Sequence, residues 1–179
     1  MRQERLNKKK KLLRGVSLTF LIAILLVILW IIFFKNRSYT REYDNKYFSF
    51  KYDTTWKVSK EESSSVSLVH KTDSIVDIKI NNLGSNYLNS EIEQIVSEIK
   101  FDIEKQNSNY KLLKEEKISL TNYAYEGYKI LYENGDSQSL IVILRNDNYV
   151  CIINYISNNV YFDMLLDSFQ FILGSIELK

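Results

Sequence analysis

The side chains that could do chemistry in this chain are few, and they lack the partners that catalysis requires. His70 is the only histidine and Cys151 the only cysteine among the 179 residues. A catalytic or metal-binding histidine needs further ligands or an acid–base partner, and neither a second histidine nor a nearby cysteine can supply one. We therefore interpret His70 as a strand-end or surface histidine. Cys151 lies in an apolar run, which predicts a small buried hydrophobe and not a nucleophile.

Pairs of acidic residues are the other source of acid–base chemistry. Among the acidic residues that are close in sequence are the pairs Glu61 with Glu62, Asp73 with Asp77, Glu115 with Glu116, and Asp163 with Asp167. Neighbours on a strand point to opposite faces, so the two glutamate pairs predict solvated edges. The spacing of Asp73 and Asp77 does not match a calcium loop. Asp163 and Asp167 are four residues apart and could share a helix face, although a hydrolase pair there would also need a cleft.

No sequence motif adds to these candidates. The chain contains no phosphate-cradling loop, no G-x-S-x-G and no H-E-x-x-H. We therefore predict no catalytic, metal-binding or cofactor-binding residue. An enzyme, such as a cell-wall hydrolase that uses Asp163 and Asp167, remains the alternative from another functional class.

Tyrosine is abundant, with thirteen residues in the chain. Tyr123 and Tyr125 share one face of a predicted strand, and Tyr128 shares its face with Tyr132. An aromatic strip of this kind could hold an apolar ligand, a glycan or a protein partner. Core packing, together with a compositional bias typical of an A/T-rich bacterial coding sequence, is the simpler explanation.

The N-terminal part of the chain has the pattern of a membrane anchor. Residues 16–34 are nineteen residues without a charged side chain. A helix rises about 1.5 Å per residue, so this run covers roughly 28 Å, close to the ~30 Å hydrocarbon core of a bilayer. A helix of a soluble domain is rarely apolar on every face. We predict one transmembrane helix over 16–34, held by the lipid bilayer.

The charges that flank this run predict its orientation. Seven Lys and Arg side chains precede it, opposed only by Glu4, whereas the basic residues that follow it are diluted by Glu42 and Asp44. The more basic flank stays in the cytoplasm. We therefore predict a cytoplasmic arm over 1–15, a tether over 35–46, and an extracellular domain over 47–179 at the plasma membrane.

A cleaved signal peptide is the competing interpretation, since it too has a basic start and an apolar core. The apolar run here is longer than the usual core of about 7–15 residues. The segment after it, KNRSYTREYD, lacks a small-x-small cleavage pattern, and no cysteine lies close enough for lipid attachment. These features favour an uncleaved signal-anchor.

The composition of the outer part limits its partners. The arm holds seven of the 24 Lys+Arg and one of the 22 Asp+Glu, which leaves 17 against 21, a net charge of −4. An acidic domain gives no electrostatic basis for binding nucleic acid. With one cysteine, an internal disulfide is impossible, so the domain must be stable through its core.

Hydrophobic periodicity predicts an α+β fold, in which an antiparallel sheet carries packed helices. Strands are expected at 47–52, 56–58, 65–71, 75–81, 110–120, 123–133, 138–145 and 149–156. A helix is expected from Ser90, where Ser90 and Glu93 form a capping box, to about residue 105. A second helix is expected over 160–172, with Met164, Leu165, Phe169 and Ile172 inward. Strands 138–145 and 149–156 are apolar at consecutive positions, which is typical of central strands covered on both faces.

One segment resembles a known family. The stretch from Tyr47 to Val58, YFSFKYDTTWKV, is similar to the opening of PsbP-like domains: an aromatic strand, a turn and a tryptophan. The Leu120-x4-Tyr-Glu-Gly-Tyr strand, the 149–156 strand and the closing LLDSF helix follow in the same order. Asp53 stands where the family usually has proline, although aspartate can also seed a turn. The resemblance implies an antiparallel sheet flanked by helices, in an accessory or binding module without a family-wide catalytic residue.

These observations favour a membrane-tethered extracytoplasmic accessory or binding module. Its partner would be an envelope protein, a lipid or a glycan. A structural subunit of a membrane complex, held through the apolar helix itself, is a further alternative.

Overall fold

The computed structural model describes residues 40–82, 91–120, 125–146 and 149–179. The predicted cytoplasmic arm and transmembrane helix lie outside these ranges, as does Ser90. No helix within them is long and apolar enough to cross a bilayer.

Two antiparallel sheets and two helices form the described part of the chain. The strands are β1 (Thr40–Asp44), β2 (Phe48–Asp53), β3 (Trp56–Glu62), β4 (Ser65–His70), β5 (Ile75–Asn82), β6 (Tyr110–Leu120), β7 (Tyr125–Asn134), β8 (Ser137–Arg145), β9 (Tyr149–Asn158) and β10 (Glu177–Leu178). The helices are α1 (Ile92–Gln106) and α2 (Asn159–Gly174). The larger sheet has the strand order β3-β4-β5-β9-β8-β7-β6, and the smaller has the order β1-β2-β10. The predicted α+β class is confirmed.

The seven-stranded sheet is covered on both faces at its centre. Strand β8 is buried at the consecutive positions 141–144, as the sequence predicted, whereas β9 is buried at Val150 and Cys151 and then at alternate positions. On one face, α1 packs against β7, β8 and the start of β9 through Ile92, Ile95, Val96, Ile130, Tyr132, Ile141, Ile143 and Val150. On the other face, α2 and the small sheet enclose the larger core, which includes Phe48, Phe50, Trp56, Leu68, Ile78, Leu144, Ile153, Tyr155, Phe162 and Phe169.

The small sheet begins earlier in the chain than the predicted domain boundary. Residues 40–44, within the predicted tether, pair with β2 in an antiparallel register that places Tyr43 opposite Phe50. The Tyr43 ring is buried and stacks on Phe50 at 5.2 Å between ring centroids. This burial makes β1 an edge strand of the domain and not a free linker.

Backbone angles and hydrogen bonds define the start of α1 and the turn between β7 and β8. The N-cap residue of α1 is Glu91, whose side chain makes no capping hydrogen bond. Ser90 of the predicted capping box lies outside the described residues, and Glu93 accepts a hydrogen bond from Lys117 Nζ at 2.9 Å. The hairpin between β7 and β8 has a two-residue loop, Gly135 and Asp136. Of these two residues, Gly135 adopts a positive φ, 62°, and the preceding Asn134 is the last residue of β7.

Candidate functional site

The best candidate site is the outward face of α2. The helix begins after Asn158, whose side chain accepts a hydrogen bond from the Val160 N–H at 3.0 Å and so caps the first turn. It ends at Gly174, and the N–H of the C-cap residue Ser175 donates to the Ile172 carbonyl at 3.1 Å. Both ends are therefore fixed by local hydrogen bonds, and the helix presents a defined face to solvent.

The inner face of α2 is anchored on aromatic stacking. Phe162 and Phe169 are buried and stack on Tyr155 of β9, with ring centroids 4.8 and 5.0 Å away. The Tyr155 hydroxyl donates to the Phe162 carbonyl at 2.8 Å. Burial raises the pKa of Tyr155 to about 12, so the hydroxyl stays protonated as this donor. These contacts fix which side of α2 faces the sheet.

The outer face of α2 carries large apolar side chains that the described domain leaves exposed. Val160 is 71% exposed, Met164 73% and Phe171 42%. Together with Asp167 they are spaced by four, three and four residues, so all four lie along one line of the helix. We call Val160, Met164, Asp167 and Phe171 the outer row. Met164 was predicted to point inward, and this prediction is wrong. Phe162 is the buried residue of this turn of the helix, and Met164 faces solvent.

A hydrogen-bonded cluster connects α2 to the turn between β2 and β3. The Trp56 indole donates to Ser168 Oγ at 2.7 Å, and the Ser168 hydroxyl donates to the Asp53 carboxylate. The Thr55 N–H also donates to Asp53, at 2.8 Å, so aspartate seeds the turn as the sequence predicted. Burial raises the pKa of Asp53, but the hydrogen bonds from Ser168 and Thr55 outweigh it and leave the pKa below its usual value.

His70 ends β4 beside this cluster and is buried, at 5% exposure. It was expected at a strand end or on the surface, and the strand-end part is correct. Its Nδ1 lies 2.8 Å from the Thr72 hydroxyl. The Thr72 hydroxyl is hydrogen-bonded to the Ser74 hydroxyl at 2.9 Å, and the Ser74 hydroxyl to that of Ser157 at 2.8 Å. Burial and then the charge of Lys71 lower the pKa of His70, partly opposed by Asp53.

This arrangement does not match a catalytic triad. The Ser168 hydroxyl is bonded to Trp56 and Asp53, whereas His70 is bonded to Thr72. A nucleophile activated by histidine requires a direct serine–histidine hydrogen bond. The cluster therefore serves to join strands to helix, and it offers no poised nucleophile.

Most of the other residues singled out in the sequence are engaged in packing or in ion pairs. Cys151 is fully buried in β9, and burial raises the pKa of its thiol, as expected of a structural cysteine. The glutamate neighbours diverge: Glu115 pairs with Lys100 of α1, and Glu116 with Lys114. Asp163 and Asp167 are both exposed on α2. Three or more metal-ligating side chains do not cluster anywhere in the part that the structure describes.

The predicted tyrosine strip divides between the two faces of the large sheet. Tyr128 and Tyr132 lie beneath α1, where Tyr132 is buried and Tyr110 stands 5.2 Å from it between ring centroids. Tyr125 faces the opposite side and donates to the Leu178 carbonyl at 3.3 Å. Tyr123 lies outside the described residues. The positions of Tyr110, Tyr125, Tyr128 and Tyr132 are therefore explained by packing within the domain and not by a shared ligand-binding strip.

Other exposed apolar residues are more isolated than the outer row. Phe101 of α1 is 65% exposed but stands among Gln94, Ser97 and Asp102. Leu112 and Leu113 lie at a bulge of the edge strand β6, whose lysines protect that edge against pairing. The outer row was not predicted, although its spacing of four, three and four residues is present in the sequence.

The fold and these contacts define an α+β domain of PsbP-like architecture: an antiparallel sheet whose closing helix packs on the aromatic opening strand and its tryptophan. The chain is similar to cyanobacterial PsbP from Synechocystis, with a TM-score of 0.61, 11% identity, and coverage of 78% of this chain and 92% of that one. It is also similar to LpqN of Mycobacterium tuberculosis, a protein involved in cell envelope biogenesis, with a TM-score of 0.55, 10% identity, and coverage of 78% and 91%.

A protein of unknown function from Pseudomonas aeruginosa is similar as well, with a TM-score of 0.50, 12% identity, and coverage of 75% of this chain and 94% of that one. No protein-family model and no curated protein matches the sequence. At these identities the likeness shows the fold, and no residue role is carried over. The resemblance to PsbP-like domains predicted from the sequence is confirmed at the level of fold.

Proposed function

We propose that this chain is a membrane-tethered accessory module whose PsbP-like domain binds a protein partner outside the plasma membrane. The observation that carries the proposal is the outer row of α2. Surface helices of globular domains turn polar side chains outward, and a helix that is apolar all round is normally covered. Here the positions opposite the buried stripe are Val160, Met164 and Phe171. Exposed apolar surface of this kind is typical of an interaction site.

The location rests on the sequence. The basic arm and the uncharged run over 16–34 support a single membrane span with the domain outside. A module tethered in this way meets partners confined to the same membrane surface, which raises their effective concentration. LpqN, a structural neighbour, is involved in cell envelope biogenesis, which is consistent with such a setting.

Site-specific photocrosslinking in intact cells tests the proposal. A photoreactive amino acid replaces Met164 in the full chain, and a matched variant carries it at Gln106, which is exposed on α1 at the other face of the large sheet. We expect a discrete protein adduct from position 164 and none from position 106. Equal labelling at both positions, or no protein adduct at 164, contradicts binding through α2.

Replacing residues 16–34 with an unrelated membrane anchor separates this proposal from a structural subunit held through its own helix. A module that acts through α2 keeps its adduct after the exchange. Loss of the adduct, with the domain still present at the membrane, favours the structural subunit.

A further inference from the structure

We infer that the partner of α2 presents an apolar ridge with a lysine or arginine placed to meet Asp167. This inference rests on the proposed function and names the partner class at the same site. It follows from the position of a single carboxylate within the outer row.

Asp167 lies between Met164 and Phe171 along the helix, at spacings of three and four residues. A partner that covers both apolar side chains must therefore also cover Asp167. Burying a carboxylate without a compensating charge is strongly unfavourable. A cationic side chain in good geometry offsets the free energy that the carboxylate loses on dehydration. The composition of the row thus specifies its complement: apolar contacts at two ends and a cation at the centre.

The charge of the surrounding helix strengthens this specification. Asp163 adds a second exposed carboxylate beside the row, and α2 contains no lysine or arginine. Indeed, no basic residue occurs between Arg145 and Lys179. Neither Asp163 nor Asp167 forms an ion pair with any residue in the described ranges. Both carboxylates are therefore available to a basic partner.

A second copy of the chain is a poorer occupant. A two-fold symmetric contact places the same patch on both sides of the interface. Pairing two α2 helices through their outer rows would bring Asp163 and Asp167 of one copy against those of the other. Like charges in a desolvated contact oppose association, so self-pairing through this face is disfavoured.

The membrane surface is a poorer occupant too. Apolar residues such as Met164 and Phe171 can enter the interfacial layer of a bilayer, but peripheral helices of this type carry lysine and arginine towards anionic lipid. The outer row carries aspartate instead, and insertion would draw Asp167 towards the hydrocarbon. A protein ridge with a well-placed cation satisfies both the apolar and the charged members.

The test combines the crosslinker at Met164 with substitutions of Asp167 in the full chain in intact cells. Asp167→Asn keeps the side-chain shape and removes the charge, and Asp167→Lys reverses it. Asp102→Lys, on the exposed surface of α1, is the matched charge change away from the site. We expect the yield of the protein adduct to fall about tenfold in Asp167→Asn and further in Asp167→Lys. Asp102→Lys should leave it unchanged.

Mass spectrometry of the adduct gives an independent result. The crosslinked peptide of the partner should contain apolar residues at helical spacing with a lysine or arginine among them. An adduct with this chain's own peptides, or with lipid, overturns the inference. An adduct that persists undiminished in both Asp167 variants also overturns it, while leaving the proposed binding function intact. Absence of any adduct in the parent crosslinking variant instead counts against the proposed function itself.

Discussion

The Trp56 indole N–H donates to Ser168 Oγ at 2.7 Å, which joins the first residue of β3 to the middle of α2 across 112 positions of sequence. Trp56 is fully buried, so its N–H depends on this acceptor. Ser168 also donates to Asp53 at the turn that precedes Trp56. One serine hydroxyl therefore satisfies a buried indole and a turn carboxylate, and it helps to set which face of α2 points outward.

Ser168→Ala should lower the free energy of unfolding by about 1–3 kcal/mol, because the buried Trp56 N–H then lacks an acceptor. Ser97→Ala is the matched control, since the Ser97 hydroxyl bonds only to the Glu93 carbonyl on the exposed side of α1, at 2.8 Å. The control should change stability by less than about 0.5 kcal/mol. Urea denaturation followed by tryptophan fluorescence measures both. Equal effects of the two substitutions would show that the Trp56 contact does not stabilise the domain.

His70 should make the stability of the domain fall in mild acid. Burial is the main cause of its lowered pKa, so the folded-state pKa lies below the ordinary value of 6.5. The unfolded chain then binds a proton more readily than the folded one, and stability is lost as pH falls below about 6.5 towards the folded pKa. Well above pH 6.5 the imidazole is neutral in both states, and His70 causes no pH dependence.

The single histidine allows this to be measured without assignment ambiguity. Its imidazole proton resonances should titrate at a pH below 6.5 in the folded protein. The slope of unfolding free energy against pH in that range should flatten in His70→Gln. Asp53, whose folded pKa is also lowered, titrates in a more acidic range and does not obscure this slope. A His70 titration at or above 6.5 would refute the prediction.

The order of strands and helices could be predicted from the sequence because burial follows simple periodicities. Phe48, Phe50 and Tyr52 alternate on β2 and are all buried. On α1, Ile92, Ile95 and Val96 recur at helical spacing and are all buried. Strand β1 was missed because TREYD has one apolar side chain, Tyr43, and its burial depends on pairing with a segment that the local pattern does not reveal.

Phe169 and Ile172 of α2 were correctly predicted to be buried, but the outward position of Met164 could not be predicted, for a different physical reason. Apolar residues occupy both sides of this helix, so periodicity alone gives two acceptable stripes. Tertiary contacts select between them: Tyr155 stacks on Phe162 and Phe169, and Trp56 binds Ser168. Met164 is therefore outside, although its residue type suits a core. The candidate site is the apolar stripe of α2 that lies opposite the buried stripe.

The predicted membrane orientation can be tested by cysteine labelling, because the native thiol of Cys151 should not react. Cys151 is fully buried, so a membrane-impermeant maleimide should not react with it in the folded protein. Ser63→Cys, at an exposed turn, should be labelled on intact cells. Asn7→Cys, in the predicted cytoplasmic arm, should be labelled only after permeabilisation. Labelling of Asn7→Cys but not Ser63→Cys on intact cells would reverse the orientation.

The two faces of α2 should respond differently to substitution. Phe169 is fully buried and stacks on Tyr155, so Phe169→Ala should lower the free energy of unfolding by about 3–5 kcal/mol through loss of burial and formation of a cavity. Met164 is 73% exposed, so Met164→Gln should leave stability within about 0.5 kcal/mol of the parent. Partner binding should instead depend on Met164: Met164→Gln should reduce the yield of the adduct formed by a crosslinker at Phe171 while the domain stays folded. If Met164→Gln destabilised the domain as much as Phe169→Ala, Met164 would belong to the core, and the outer row would not be a free surface.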